Sequence, residues 1–334
     1  MSLEQTSIRI LENTNVSEAR RAAARLAQAL KFESASEGNL AIIVSELARN
    51  VLLHGGGGEV VLQPENEPSC AIDVLALDKG QGISDFSRAL QDGYSSAGTP
   101  GTGLGAVRRL ASAFAVFSAA AAGTAVLARV RASGSQNGKW NTTAGVCVPV
   151  AGETQCGDAW AYQDQEGRRM IMVADGLGHG PAAADAAQEA LAAFRANVHR
   201  SPSEIIEHAH GRLQKTRGAA VAVTEIDFAR QIVRYSGVGN IASAILANEK
   251  TRSMVSHNGI VGHQMSHVQE FTFPWERGAL LVMHSDGVQT RWDLGRYPGM
   301  AAQPAGLIAG VLYRDFKRGR DDATVVVSRE EIAV

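Results

Sequence analysis

The chain has 334 residues, enough for about two domains. Hydrophobic residues make up 45% and charged residues 20%, a globular balance that excludes wholesale disorder. The net charge of −2 argues against a nucleic-acid scaffold, and the three cysteines (Cys70, Cys147 and Cys156) form no CxxC pair, which argues against a disulfide framework or a cysteine-rich zinc site. No apolar run is long enough for a membrane span and no signal-peptide pattern precedes residue 15, so we expect a cytoplasmic protein.

A polar stretch without periodicity over residues 132–145 predicts a linker between a domain of residues 1–131 and a domain of residues 146–334. The first domain combines three predicted helices with four predicted strands. The helices run from the N-cap Ser17 to Leu30, over Ser36–Leu53 and over Gly105–Ala113. The strands run over Glu59–Gln63, Cys70–Leu77, Phe114–Ser118 and Thr124–Val130. This order predicts an α+β sandwich with helices on one face of a sheet.

The second domain has many short strand-like runs around two central helices. The predicted strands are Val146–Val150, Ala159–Gln163, Arg169–Ala174, Ala219–Ile226, Ile232–Ser236, Ala242–Leu246, Ala279–His284 and Ala323–Val327. The predicted helices are Pro181–Asn197 and Pro202–Gln214. This pattern predicts two sheets packed as a sandwich and flanked by helices.

Three polar residues share one face of the second predicted helix. Glu46, Asn50 and His54 are spaced by four, and the apolar positions lie on the other side. A carboxylate and an amide on one face can hold Mg²⁺ and orient a hydroxyl or water. For a lone pair of this kind, a solvated polar face is the commoner explanation, and that alternative stays open on these residues alone.

Two glycine-rich segments follow. Asp78 ends an apolar strand and precedes Gly80 and Gly82, so its carboxylate can accept a hydrogen bond from a base amino group where the backbone approaches closely. The run from Gly98 to Gly105 leads into a helix, where N–H groups bind phosphates. The alternative for the segment at Asp78 is a strand-end turn, and the alternative for the run from Gly98 to Gly105 is a flexible surface loop.

Together these segments resemble the N, G1 and G2 boxes of the GHKL ATPase and kinase superfamily: Glu46–Asn50, Asp78–Gly82 and Gly101–Gly105. The segment Asp92–Thr99 resembles the short ATP lid of RsbT-type switch kinases, which phosphorylate serine or threonine. The resemblance covers residues 8–131. It implies a Bergerat ATP-binding sandwich.

The same resemblance implies residue roles. Asn50 would bind Mg²⁺, Asp78 would bind adenine, and Glu46 would activate the attacking group. The other residues that it assigns to the ATP site are Gly80, Gly82, Gly101, Gly103, Gly105 and Thr124. His54 is expected to pack near the helix end and to have no catalytic role.

Four acidic segments stand out in the second domain, most of them at a strand end. Their carboxylates are Asp158, Asp175, Asp286 and the adjacent pair Asp321 and Asp322. Strand ends of a sandwich converge on one rim, and clustered carboxylates repel one another unless cations neutralise them. Mg²⁺ or Mn²⁺ suits such an oxygen-only site, and two such ions can support attack of water on phosphorus. A hairpin turn explains any single Asp-Gly pair equally well.

These segments resemble the metal-dependent protein phosphatases of type 2C in their SpoIIE and RsbX branch, over residues 145–327. The resemblance implies an αββα sandwich and two Mn²⁺ or Mg²⁺ ions. The ligands would be Asp158, Asp175, Asp286, Asp321 and the Gly176 carbonyl, with Asp322 as the alternative to Asp321; Asp158 and Asp175 would be catalytic. No clear phosphate-binding arginine is present; Arg168 and Arg169 are candidates only by proximity. His179 either touches substrate or supports its loop, and Cys156 is expected to be a small buried residue.

The two resemblances imply a bifunctional signalling protein that phosphorylates and dephosphorylates Ser or Thr of STAS-domain partners of the RsbS and RsbR type. One alternative is that the first domain binds ATP and sequesters a partner, such as a sigma factor, without phosphotransfer. Another is a degenerate phosphatase that acts as a scaffold. Because simultaneous action on one residue would only hydrolyse ATP, we expect different targets, different partners or reciprocal control.

Overall fold

The structure is a computed structural model and describes residues 5–65, 70–83, 103–120, 122–133, 139–248, 250–265 and 268–330. The chain forms two compact units. The first comprises Met1–Asn141 and Tyr297–Arg314, and the second comprises Thr142–Arg296 and Asp315–Val334. The contacts therefore group a late segment of the chain with the first unit. Among the described residues, no helix is both long and apolar enough to cross a membrane.

The first unit is built on one antiparallel five-stranded sheet in the order β1-β2-β3-β5-β4. Its strands are β1 (Thr6–Ile10), β2 (Gly58–Glu65), β3 (Ala71–Asp78), β4 (Ala113–Ser118) and β5 (Thr124–Arg131). Its early helices are α1 (Asn13–Ala29), α2 (Ser34–Leu53) and α3 (Gly103–Leu110). Strand β1 has no counterpart among the predicted elements, because a five-residue edge strand gives little periodic signal.

The predicted apolar face of α2 is confirmed. Its buried positions are Leu40, Ile43, Val44, Leu47 and Val51, which pack into one core with α1 and one face of the sheet. The predicted N-cap Ser17 is wrong, since α1 begins four residues earlier. There the side-chain Oδ1 of Asn15 accepts the backbone N–H groups of Leu11 and Glu12, so a local side-chain acceptor fixes the helix start.

The opposite face of this sheet is covered by the late segment of the first unit. Helix α6 (Ala305–Phe316) packs there, and Gly310 leaves room for Leu75, whose Cδ2 would lie 2.7 Å from an added β-carbon. Near the end of α6, Tyr313 donates to Glu59 at 3.1 Å and Arg314 donates to the Asp78 carbonyl at 2.9 Å. The three predicted helices pack on one face of the sheet, as expected, and α6 adds a layer on the other face. Helix α6 itself was not predicted.

The second unit contains two five-stranded sheets, in the orders β13-β10-β9-β8-β7 and β12-β11-β14-β15-β6. The first sheet is formed by β7 (Asp158–Gln165), β8 (Arg168–Gly176), β9 (Ala219–Asp227), β10 (Ile232–Val238) and β13 (Phe271–Pro274). The second is formed by β6 (Thr143–Val148), β11 (Ala242–Ala247), β12 (Lys250–Met254), β14 (Leu280–His284) and β15 (Ala323–Arg329). The sequence did not predict β12 and β13.

One core of the second unit lies between its sheets, where Ile171 and Val173 of β8 meet Ile245, Leu281 and Met283. A second core lies on the outer face of the first sheet. There α4 (Pro181–Asn197) and α5 (Pro202–Leu213) pack against β8 and β9. The predicted α+β class, with two sheets and flanking helices, is confirmed. The packing leaves the ends of β7, β8, β14 and β15 to form a common rim.

Candidate functional sites

The first candidate site surrounds the carboxylate of Asp78 at the end of β3. Its Oδ1 accepts the backbone N–H of Gly80 at 2.9 Å and of Thr124 at 3.1 Å. Burial raises the pKa of Asp78, while these bonds and the charge of Arg314 lower it. Among the described residues, Oδ2 of this buried residue makes no hydrogen bond, which leaves it as an acceptor for a ligand.

Glycines around Asp78 allow the backbone to close in on it. A β-carbon on Gly80 would lie 2.5 Å from the His54 carbonyl oxygen, and one on Gly123 would lie 2.1 Å from the Asp78 carbonyl oxygen. Gly123 also has a φ of +71°, which L side chains rarely adopt. Only glycine fits at these two positions, so the space beside Asp78 depends on them.

The remaining predicted nucleotide residues lie on neighbouring elements. Glu46 and Asn50 lie on α2, which packs against α3, and the Glu46 side chain is 15% exposed. Gly103 is the first residue of α3 and Gly105 is buried within it, whereas Gly101 and the segment Asp92–Thr99 lie outside the described residues. His54 is the exposed C-cap of α2 and is not packed as expected.

The second candidate site begins with two opposing aspartates. Asp158 is the first residue of β7, and it pairs directly with Asp175 near the end of β8. Residues directly opposite in an antiparallel pair point to the same face, with β-carbons about 5 Å apart. The register therefore places two carboxylates side by side.

Asp158 is buried, with 3% exposure. Ser285, which follows β14, donates its hydroxyl to Asp158 Oδ2 at 2.6 Å, and the same hydroxyl accepts the backbone N–H of Thr324 at 3.0 Å. Burial raises the pKa of Asp158 to about 7, although the hydrogen bond from Ser285 lowers it. Ser285 thus ties β7 to the ends of β14 and β15. The sequence analysis gave it no role, although its position at a strand end within the His284–Gly287 segment was a usable signal.

Asp175 lies where several negative charges meet. Burial and the neighbouring carboxylates of Asp158, Asp286 and Asp321 together raise its pKa to about 9. Burial and Asp321 also raise the pKa of Asp286. Such a group of carboxylates is not stable in its charged form at neutral pH without cations.

A cleft of about 380 Å³ opens in front of these carboxylates. Asp175, Asp286 and Asp321 line it, together with the amides Asn240 and Asn258. Asn240 donates to Asp286 Oδ2 at 2.6 Å. The structure thus brings three of the predicted carboxylates to one cleft, with Asp158 paired to Asp175 behind it.

Asp322 occupies a different position from its neighbour Asp321. It is 2% exposed, and its two oxygens accept the backbone N–H groups of Val150 at 2.7 Å and Gly157 at 2.8 Å. Because both oxygens are engaged, Asp322 holds the loop between β6 and β7, whereas Asp321 lines the cleft. This geometry separates two carboxylates that the sequence left as alternatives.

Gly176 ends β8 in a crowded place. A β-carbon on it would lie 2.1 Å from the Ala183 carbonyl oxygen, and its N–H donates to Gly157 at 3.0 Å. In the part of the chain that the structure describes, no three His, Cys, Asp or Glu side chains already converge on one metal position. Any ion at this rim would therefore be held by one or two carboxylates, with backbone carbonyls or waters completing its shell.

The two arginines considered for phosphate binding lie elsewhere. Arg168 and Arg169 begin β8, about 20 Å from Asp175 at the usual rise of a strand. Arg168 pairs with Glu225 and the buried Arg169 pairs with Asp164. Arg168 and Arg169 are close to Asp175 in sequence but not in space, because an extended strand separates its two ends.

Two loop residues of the second unit have structural partners. His179 Nδ1 lies 2.7 Å from Glu153 Oε1, which favours the interpretation that His179 supports its loop. Cys156 is a free, half-buried thiol whose sulfur lies 3.4 Å from that of Cys147, a neighbour that the sequence analysis did not anticipate.

The two units therefore define a class of protein: a GHKL-type ATP-binding fold joined to a type 2C phosphatase sandwich. Residues 11–130 match the family model of the histidine kinase-like ATPase domain, and residues 165–330 match that of stage II sporulation protein E (SpoIIE). The chain belongs to the RsbT group of these ATPases in its first domain, and its second domain is a SpoIIE-type PP2C domain. The resemblance drawn from the motifs of both halves is confirmed.

Known proteins resemble each half. The serine/threonine-protein kinase RsbT of Bacillus subtilis (strain 168) is 32% identical over 126 residues, which cover 37% of this chain and 95% of RsbT. The phosphoserine phosphatase RsbX of the same organism is 28% identical over 143 residues, which cover 41% of this chain and 69% of RsbX. A solved structure from work on the bacterial stressosome as a modular system is 29% identical, with a TM-score of 0.53, and the match covers 56% of this chain and 98% of that one.

Proposed function

We propose that the second domain removes phosphate from Ser or Thr residues of STAS-domain partners, and that the first domain transfers phosphate from ATP to such residues. The observation that carries the proposal is the pair Asp158 and Asp175, set opposite each other at the rim of a SpoIIE-family domain. Their pKa values are raised by burial and by further carboxylates. Perturbed acids of this kind in a cleft are typical of a metal or catalytic site.

The donor set fits two hard divalent ions, Mn²⁺ or Mg²⁺. Asp158, Asp175, Asp286, Asp321 and the Gly176 carbonyl would hold them. Asp322 would support the site through the loop between β6 and β7. When bound, the ions supply positive charge that neutralises the carboxylates and the phosphoryl group. Asn240 and Ser285 orient Asp286 and Asp158 through their hydrogen bonds.

In the first domain, ATP would bind with its adenine amino group on Oδ2 of Asp78. Gly80, Gly82 and Thr124 would shape the base pocket, and the glycines up to Gly105 would surround the phosphates. Asn50 would hold Mg²⁺ and Glu46 would orient and deprotonate the acceptor hydroxyl. The free Oδ2 of the buried Asp78, beside close-packed glycines, supports this assignment.

The two activities oppose each other, so they would act on different residues, on different partners, or under reciprocal control. The partners we propose are STAS-domain proteins of the RsbS and RsbR type. The similarity of the two halves to RsbT and RsbX, and of the fold to a stressosome structure, supports this choice.

The phosphatase proposal is tested by Mn²⁺-dependent hydrolysis of p-nitrophenyl phosphate by the full chain. Asp175→Asn should lose turnover. Asp185→Asn, an exposed aspartate on α4, should retain it and serves as the matched control. The same variants are then tested on a phosphorylated STAS partner, from which we expect phosphate release only with an intact cleft. Activity that survives in Asp175→Asn would contradict the site.

The kinase proposal is tested by incubating the full chain with labelled ATP and a STAS partner. An Asp175→Asn background prevents removal of the label. Label on the partner supports phosphotransfer, and its loss in Glu46→Gln supports the site. ATP binding and a stable partner complex without label would favour a sequestering module.

A further inference from the structure

The cleft of the phosphatase domain lacks a cation of its own. Its described lining consists of aspartates, asparagines and small or apolar residues, without Lys or Arg. A phosphorylated side chain is dianionic, and carboxylate walls repel it. Besides the metal ions that the site would hold, a cationic side chain that contacts the phosphoryl group must therefore come from the edge of the cleft.

Arg217 lies at this edge. It belongs to the turn between α5 and β9, and the carbonyl of the next residue, Gly218, accepts the N–H of Leu177 at 3.0 Å. The Arg217 Nη1 atom lies 3.1 Å from the point where a β-carbon of Gly178 would stand. Because Leu177 and Gly178 line the cleft, the guanidinium stands beside its opening.

The Arg217 side chain is exposed, and it forms no hydrogen bond or ion pair with any other residue that the structure describes. Its backbone is held firmly: Ala219 pairs with Val261, and the carbonyl of Thr216 contacts His263 Nε2 at 3.1 Å. A guanidinium with free donors on a braced turn is well suited to bind phosphate in a bidentate way.

We propose that Arg217 binds the phosphoryl group of the substrate and sets the affinity of the phosphatase domain for phosphorylated residues. This inference rests on the proposed phosphatase function. Two oxygens of the phosphoryl group would accept from the guanidinium while the leaving side chain points away from the cleft. Arg217 thereby supplies the phosphate contact that Arg168 and Arg169, at the far end of β8, cannot make.

The test compares Arg217→Ala and Arg217→Lys with Lys215→Ala, which removes the same charge from the same turn. With p-nitrophenyl phosphate and Mn²⁺, Arg217→Ala should raise KM about 10- to 100-fold, the range for losing hydrogen bonds to a charged group, with kcat changed less than about twofold. Arg217→Lys should recover part of the affinity, because lysine keeps the positive charge but lacks the planar pair of N–H donors of a guanidinium. Lys215→Ala should behave like the parent.

Binding of inorganic phosphate to the full chain with Mn²⁺, measured by calorimetry, gives a readout without turnover. It should weaken in Arg217→Ala and not in Lys215→Ala. If the parent chain hydrolyses the substrate while Arg217→Ala keeps its KM and its phosphate affinity, the assignment of Arg217 is wrong and the phosphatase function stands. If the parent shows no metal-dependent turnover, the proposed function fails, and the phosphate titration alone decides the role of Arg217.

A competing cation is Arg318, whose charge lowers the pKa of Asp286. An Arg318→Ala variant is therefore measured in parallel. A change in KM at Arg318 with none at Arg217 overturns the inference. So does a KM change in Arg217→Ala that appears with a phosphorylated protein but not with p-nitrophenyl phosphate, since that pattern indicates a contact with the partner protein instead.

Discussion

Replacing Asp322 and Asp321 separately should affect different properties of the phosphatase domain. Asp322→Ala removes the acceptor of the N–H groups of the half-buried Val150 and the buried Gly157. Each unpaired donor costs about 1–3 kcal/mol, so the free energy of unfolding should fall by about 2–6 kcal/mol. Burial and repulsion from Asp321 both raise the pKa of Asp322, and relief of these costs favours the lower half of this range. Asp321→Ala removes a cleft-lining side chain and should change stability little.

The assay is differential scanning calorimetry of the full chain without metal and with Mn²⁺. A loss of about 3 kcal/mol should lower the Tm of the phosphatase transition by roughly 6–12 °C in Asp322→Ala. Asp322→Asn should lose at least half as much, since its amide keeps one acceptor oxygen. Asp321→Ala should keep its metal-free Tm but lose most of the rise that Mn²⁺ produces.

The reverse pattern would contradict the separate roles of Asp321 and Asp322. A metal-free Tm of Asp322→Ala within about 1 °C of the parent would mean that its two hydrogen bonds do not hold the loop. A normal Mn²⁺ response in Asp321→Ala, with loss of that response in folded Asp322→Ala, would show that Asp322 is the metal-binding residue.

Without metal, the pKa of Asp175 is about 9 in the folded state and near 3.8 in the unfolded state. The folded state therefore binds more protons, and the free energy of unfolding should fall as the pH rises from 4 to 9. In Tm measurements with EDTA, Asp175→Asn should make this fall smaller. Glu46→Gln should leave ATP binding intact but slow transfer of label to a partner by about 10²–10⁴-fold, whereas Asn50→Ala should weaken binding of Mg²⁺ with ATP in calorimetry. Arg129 is 1% exposed and donates to both oxygens of Asp73 at 2.7 Å. Arg129→Met should therefore lower the free energy of unfolding of the first domain, measured in urea, by about 3–5 kcal/mol. Adding Asp73→Leu should recover much of this loss of stability.

The local sequence pattern predicted the structure correctly where a single helix or strand determined it. The apolar positions of α2 keep helical spacing and face one core, so the sequence alone predicted which side of the helix is buried. The segments at Asp78, Asp175 and Asp286 follow apolar strands, which made their positions at sheet edges predictable.

Elements with weak periodicity were missed. Strand β12 is exposed at four of its five positions, and β13 has four residues and ends in proline. Helix α6 is short and contains two glycines, which lower helix propensity, and the sequence analysis assigned no element there. The helix lies against the sheet of the first unit, although in sequence it follows most of the second.

The sequence by itself determined the two families, the order of their domains and the candidate residues, because motif residues and their spacing lie in short segments of the chain. Only the tertiary structure decided that Asp158 opposes Asp175, that Asp321 rather than Asp322 lines the cleft, and that Arg217 stands beside it. These relations join residues far apart in sequence, and they depend on strand register and on which neighbour takes up each hydrogen bond. No local pattern of residues encodes either property.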